Sequence, residues 1–128
     1  MSPRQLVVDG MNVIGSKPDG WWRDRDGAAR RLADALGALA TPDTVVTLVL
    51  DGRPIAGMPA GLLPSGVHVL YAGPGRDAGD DRLVEFLESL SRPGASLVVT
   101  SDRALVARVA ALGASVEGAA ALRRRLDF

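Results

Sequence analysis

The chain has 128 residues, of which 47% are hydrophobic and 23% are charged. This length fits a single domain over residues 1–128, and the apolar content excludes an intrinsically disordered chain. The formal net charge is zero, so overall charge gives no argument for a nucleic-acid partner. The absence of cysteine excludes disulfides, thiolate zinc sites and iron–sulfur clusters, and with His68 as the single histidine any metal would need oxygen ligands.

The amino-terminal segment does not have the pattern of a signal peptide, because Asp9 interrupts its short apolar stretch. No apolar run approaches the roughly 20 residues needed to cross a bilayer. We therefore expect a cytoplasmic protein without a membrane partner. The sequence makes no prediction of an oligomeric state.

Four apolar runs and one shorter run predict strands, and helical patterns lie between most of them. The strands are expected at residues 5–9, 44–50, 67–71, 96–100 and 114–116. The longer runs are almost continuously apolar, which is typical of parallel strands buried on both faces. Helices are expected at residues 28–40, 80–90, 103–112 and 119–126. This alternation predicts an α/β fold: a three-layer α/β/α sandwich around a central parallel sheet of four to five strands.

Aspartates follow the predicted strands. Asp9, Asp51 and Asp102 each come at or just after a strand, and the helix after the third strand opens with Asp77, Asp80 and Asp81. Ligands of open α/β sheets bind beyond the carboxyl ends of the strands. Carboxylates that converge there repel one another unless a cation lies between them, and Mg²⁺ is usually held by one or two carboxylates and water.

Each aspartate also has a purely structural interpretation. Asp102 fits a helix N-cap, Asp77 with Asp80 resembles a capping box, and Asp51 before Gly52 fits a turn. Helical spacing separates the neighbouring acids of the later helix. Asp80 shares the face of the leucines that pack on the sheet, whereas Asp81 shares the face of Glu85 and Glu88. The sequence therefore predicts that Asp80 points inward and Asp81 outward.

Three strings in order carry a resemblance to a known family. They are Asp9-Gly10-Met11-Asn12-Val13-Ile14-Gly15, Gly79-Asp80-Asp81 and Val98-Val99-Thr100-Ser101-Asp102-Arg103. With them the chain resembles the NYN-domain proteins of the PIN-like nuclease superfamily, and within it the small bacterial YacP-like ribonucleases. The likeness spans nearly the whole chain. It implies a PIN-like variant of the Rossmann-like three-layer sandwich.

The resemblance also implies an activity and its residues. It implies a Mg²⁺- or Mn²⁺-dependent endoribonuclease that hydrolyses RNA, with the ribosome as a candidate partner. Asp9, Asp80 and Asp102 would form the acidic metal cluster, with Asn12 orienting substrate or metal-bound water and Asp81 as an auxiliary acid. The family pattern would place Ala-Asp at positions 78 and 79, where this chain has Ala78-Gly79-Asp80. This departure leaves open whether Asp80 or Asp77 fills the family position.

Other polar and aromatic residues near these strings are candidates for substrate binding. Arg53, Arg76 and Arg103 are candidate phosphate ligands, although each also fits an ordinary solvated side chain. Ser101 fits a phosphate ligand or a helix cap equally well. Trp21 and Trp22 fit base stacking, but a packing role is expected for at least one.

Two other functions are compatible with the same sequence. The first is an RNA- or ribosome-binding module that keeps the fold without the activity. The second is a phosphohydrolase that uses Asp9 as a covalent nucleophile, which would call for a second acid where Met11 stands. The complete set of acids favours the nuclease.

Overall fold

A six-stranded sheet with helices on both faces makes up the computed structural model, which describes residues 3–128. The strands are β1 (Arg4–Asp9), β2 (Thr44–Leu50), β3 (Gly61–Leu62), β4 (Val67–Tyr71), β5 (Ser96–Val99) and β6 (Ser115–Glu117). The α-helices are α1 (Gly10–Gly15), α2 (Arg25–Leu36), α3 (Ala78–Ser89), α4 (Arg103–Ala111) and α5 (Ala119–Leu126). The strand order is β3-β4-β2-β1-β5-β6.

The two faces of the sheet bury separate groups of side chains. Leu6 and Val8 of β1 point to the face covered by α1, α2 and α5, whereas Val7 points to the face covered by α3 and α4. This alternation along one strand follows from the two-residue period of β structure. The predicted three-layer sandwich is therefore confirmed. No helix within residues 3–128 combines the length and apolar character that crossing a bilayer requires.

The sheet is larger than predicted and is not purely parallel. Five strands pair in parallel, and the two-residue strand β3 pairs antiparallel to β4. Strand β3 was not among the expected strands, because two residues are too few to show the alternating pattern of a strand. Helix α2 begins at Arg25, before the predicted start, because Asp24 caps it by accepting a hydrogen bond from Gly27 N–H (2.9 Å).

Helix α1 lies directly after β1 and was not among the expected helices. Its carboxyl end is held by Arg123 of α5, whose guanidinium donates to the carbonyls of Val13 (2.7 Å) and Ile14 (3.2 Å). Arg123 is half-buried and fixes α1 beside the carboxyl edge of the sheet.

Candidate functional site

The predicted aspartates meet at the carboxyl edge of the sheet. Strand β1 lies between β2 and β5, and the strand order reverses between β1 and β5, which is where α/β sheets bind ligands. A cleft of about 290 Å³ opens there, and we call it the acid cleft. Its lining residues are Asp9, Met11, Asn12, Asp51, Asp77, Ala78, Gly79, Asp80 and Asp102.

One side of the acid cleft, which we call the strand wall, is built from the ends of β1 and β5. The buried Thr100 hydroxyl donates to Asp9 Oδ2 (2.9 Å) and accepts from Asp102 N–H (3.1 Å). Asp102 Oδ1 in turn accepts from Leu105 N–H (3.1 Å) at the start of α4. The capping interpretation of Asp102 is therefore correct, and the same carboxylate also lines the acid cleft.

Asn12 and Ser101 extend the strand wall toward α5. Asn12 Oδ1 accepts from Ser101 N–H (2.8 Å), and Ser101 Oγ accepts from Ala119 N–H (3.0 Å). Ser101 thus caps α5 and orients Asn12. Because the Asn12 carbonyl oxygen is engaged, its NH₂ group is the part of the side chain free to donate to a ligand in the acid cleft.

The opposite side, the helix wall, consists of Asp51, Asp77 and Asp80. Asp77 precedes α3 with φ of 60° and makes no capping hydrogen bond through its side chain, so the predicted capping box does not form. Asp80 lies in the first turn of α3 and is half-buried. A Cβ at Gly79 would collide with the Asp51 carboxylate, so glycine lets this carboxylate lie against the start of α3.

The carboxylates of the two walls affect one another electrostatically. Burial raises the pKa of Asp9 to about 6; the Thr100 hydrogen bond opposes this rise, and the charges of Asp80 and Asp51 add to it. The pKa of Asp80 is also raised, first by burial and then by the charges of Asp102 and Asp77, while Arg108 opposes the rise. Within residues 3–128, no carboxylate that lines the acid cleft forms an ion pair. The cleft therefore favours uptake of positive charge.

The donor set fits a hydrated divalent cation better than a tightly enclosed one. No group of three or more histidine, aspartate or glutamate side chains in the described part of the chain is arranged to hold a metal ion. Asp9, Asp80 and Asp102 thus share one cleft without forming a ready-made ligand shell. Mg²⁺ keeps several waters and needs only one or two carboxylates, and the cleft has room for both.

Asp81 lies outside the acid cleft, and the three arginines expected to bind substrate do not line it. Asp81 points outward, as predicted, and accepts from Arg108 Nη1 (2.8 Å), which argues against its suggested role as a metal ligand. Arg76 and Arg103 are exposed near the helix starts. Arg53 lines a neighbouring groove. Asp51 and Asp77, which were expected at the sheet edge but not among the metal ligands, also line the acid cleft.

The fold was compared with those of known proteins. No protein-family model matches the sequence, and no curated protein sequence matches it. Two solved structures of Rae1 (YacP) from Bacillus subtilis match the fold. The first, a W164L mutant, has a TM-score of 0.74 and 23% identity over 99% of this chain and 76% of that chain. The second has a TM-score of 0.75 and 20% identity over 99% and 74%. The chain therefore has the PIN-like fold of Rae1, as its resemblance to the YacP-like proteins predicted.

Proposed function

We propose that this protein is a divalent-metal-dependent endoribonuclease that hydrolyses phosphodiester bonds of RNA. The observation that carries the proposal is the acid cleft, where five aspartates from separate parts of the chain line one space without an ion-pair partner among residues 3–128. The fold shared with Rae1 and the resemblance to YacP-like ribonucleases support RNA as the substrate.

Asp9, Asp80 and Asp102 are the residues that would hold Mg²⁺ or Mn²⁺, and Asp51 and Asp77 line the same cleft. A bound divalent ion supplies an acidified water as nucleophile and neutralises charge that develops on the phosphate. Asn12 lines the cleft with its Oδ1 held by Ser101 N–H, and it would offer its NH₂ group to a phosphate oxygen. Thr100 fixes Asp9 and Asp102 relative to each other, so the strand wall keeps its geometry before substrate binds.

The test is cleavage of end-labelled single-stranded RNA by the purified protein with Mg²⁺, with Mn²⁺ or with chelator. We expect cleavage with either ion, none with chelator, and a loss in Asp9→Asn and in Asp102→Asn. Asp34→Asn, which neutralises an exposed carboxylate on α2, is the matched control and retains full activity. Cleavage that survives chelation or both cleft substitutions would contradict the proposal. If naked RNA is not cut, the same series is run in a translation mixture, since the ribosome is the candidate partner.

A second candidate function is RNA or ribosome binding without cleavage. The observation that favours it is that the described residues contain no ready-made metal site. This function predicts RNA binding that is unchanged by chelator, together with no cleavage in either the purified or the translating system. The same experiment therefore separates the two functions.

A further inference from the structure

A second cavity adjoins the acid cleft. This groove, of about 370 Å³, shares Met11 and Asp51 with the acid cleft and extends away from it past Arg25, Arg53 and Ile55. Its size lies at the low end of the range for small-molecule sites, roughly 300–1,000 Å³, and suits one nucleotide. Because the two cavities share lining residues, they adjoin at Met11 and Asp51.

Two arginines line the adjoining groove, whereas no basic residue lines the acid cleft. Arg25 and Arg53 line it, and neither side chain forms an ion pair or a hydrogen bond within residues 3–128. Asp26 and Asp51 line it as well, so the groove is balanced in charge rather than basic. Guanidinium groups that form no ion pair and no hydrogen bond are free to bind phosphate oxygens, which they bind in pairs of hydrogen bonds.

The loop that carries Arg53 and Ile55 is anchored at several points. The Tyr71 hydroxyl donates to the Met58 carbonyl (2.6 Å), and Arg30 donates to the Ala56 carbonyl (2.8 Å). The loops after β2 and β4 are joined by two hydrogen bonds between Gly52 and Gly73 (3.0 and 2.9 Å). Both glycines have φ of 78°, a conformation that other residues rarely adopt. The groove is therefore formed before a ligand arrives.

On the other side of the groove, an aromatic residue orients Arg25. The Arg25 guanidinium lies 6.0 Å from the centroid of the Trp21 ring, which is within the range of a cation–π contact. Trp21 itself packs against the core, so the ring is a fixed support. Met11 and Ile55 supply apolar surface to the groove, and Met11 also lines the acid cleft.

From these contacts we infer that the adjoining groove binds the nucleotide of a single-stranded RNA next to the phosphate held in the acid cleft. Arg25 and Arg53 bind its phosphate, and Met11 and Ile55 contact its base or ribose. This inference rests on the proposed function, because it takes RNA to be the ligand of the acid cleft. It adds Arg25, which the sequence did not indicate, and it gives Arg53 a defined place.

The test is binding of fluorescein-labelled oligouridylate by the full chain in chelator, followed by anisotropy at several salt concentrations. Arg25→Ala/Arg53→Ala is compared with Arg92→Ala/Arg124→Ala. The control removes the same charge from two exposed arginines that line neither cavity. We expect the groove variant to raise Kd about tenfold. The slope of log K against log salt should flatten by about 0.7, since the two arginines contact one phosphate and each phosphate contact on a single strand contributes roughly 0.7. The control should shift Kd less than about twofold.

Several outcomes overturn the inference: no binding of oligouridylate by the unmodified chain, equal losses in the two double variants, or equal affinity for duplex RNA. Thermal melting of each variant shows whether it folds, and Arg25→Lys/Arg53→Lys keeps the charge and should lose less affinity than the alanine pair. Cleavage with Mn²⁺ is measured in parallel. If RNA is cleaved but the groove variant binds normally, only the inference fails. If binding depends on the groove but no RNA is cleaved under any condition, only the proposed function fails.

Discussion

The two walls of the acid cleft are built in different ways. On the strand wall, Asp9, Thr100 and Asp102 form a continuous hydrogen-bonded chain that ends in the backbone of α4. On the helix wall, Asp77 and Asp80 make no hydrogen bond through their side chains in the described structure, and their position depends on the packing of α3. The strand wall is therefore preorganised, whereas the helix wall holds its charges near the strand wall without fixing their directions.

This difference separates structural from chemical contributions. On the strand wall, a substitution can disturb both the hydrogen bonds and the chemistry of the acid cleft. The two effects are separated by comparing a replacement that keeps the hydrogen bond with one that removes it. On the helix wall, the carboxylates have no structural partner, so their removal should act on chemistry alone.

The largest effect is expected at Asp102. Both Asp102→Asn and Asp102→Ala remove a carboxylate from the acid cleft, and each should lower the cleavage rate about 10³-fold, which corresponds to several kcal/mol in the transition state. Asparagine still caps α4 through its side-chain oxygen, but alanine does not. Alanine should therefore lower the free energy of unfolding by about 1 kcal/mol more than asparagine, as measured by urea denaturation. Equal stability of the two variants would show that the cap contributes nothing.

Two glycines, one on each side of the acid cleft, give the next contrast. A Cβ at Gly10 would lie 2.8 Å from the Val49 carbonyl oxygen and 2.6 Å from Leu50 Cδ2, in a packed interior. Gly10→Ala should therefore lower the free energy of unfolding by about 1–3 kcal/mol. A Cβ at Gly79 meets only the exposed Asp51 carboxylate, which can rotate away. Gly79→Ala should leave stability within about 1 kcal/mol of the parent and change activity through Asp51. Comparable losses of stability would contradict the contrast.

The raised pKa of Asp9 predicts a dependence of stability on pH. The folded state binds the Asp9 proton more tightly than the unfolded chain, so this group stabilises the fold below about pH 4. Its contribution is lost as the pH rises through about 6. In chelator, the free energy of unfolding of Asp9→Asn, relative to that of the unmodified chain, should therefore rise by about 1–2 kcal/mol between pH 4 and 7. Adding Mg²⁺ at pH 7 should reduce this gain, because an ion bound to the native state stabilises it. A difference that is flat with pH would contradict the expected burial of charge.

Much of the fold could be predicted because the apolar patterns that indicate its helices and strands lie within short segments of the sequence. The bounds of β2, β4 and α5 match the predicted ranges, since each is an apolar pattern ended by turn residues or glycine. Helix α1 could not be predicted in this way. Its six residues are held by the packing of Gly10 on β2 and by Arg123, which lies more than 100 residues away in the sequence. Strand β3 depends likewise on β4 as its partner.

The acid cleft was predictable to a similar extent. The rule that ligands bind at strand ends brings Asp9 and Asp102 together without knowledge of side-chain positions. The sequence could not show that Thr100 links them, or that Gly79 brings Asp51 against α3, because both are contacts between distant segments. Ser101 illustrates the same limit. The structure shows that its hydroxyl accepts from Ala119 N–H at the start of α5, a contact with a distant helix that the sequence does not indicate, and the phosphate-ligand interpretation stays a prediction.

The smallest effect is expected at Asp81. Comparison of Asp81 with its neighbour Asp80 tests whether the helix wall contributes to cleavage. Asp80 and Asp81 are neighbours on α3, but Asp80 lines the acid cleft whereas Asp81 forms an ion pair with Arg108 at the surface. Asp81→Asn should change the free energy of unfolding by less than about 1 kcal/mol, as is usual for an exposed pair. Its cleavage rate should stay within about twofold of the parent, whereas Asp80→Asn, with the same change of charge, should lose most activity. Cleavage rates and urea denaturation of the two variants, measured side by side, decide the matter. Loss of activity in Asp81→Asn alone would place the metal-binding acid on the outer face of α3. The two residues carry the same charge in the same turn of α3 and differ in the direction of their side chains.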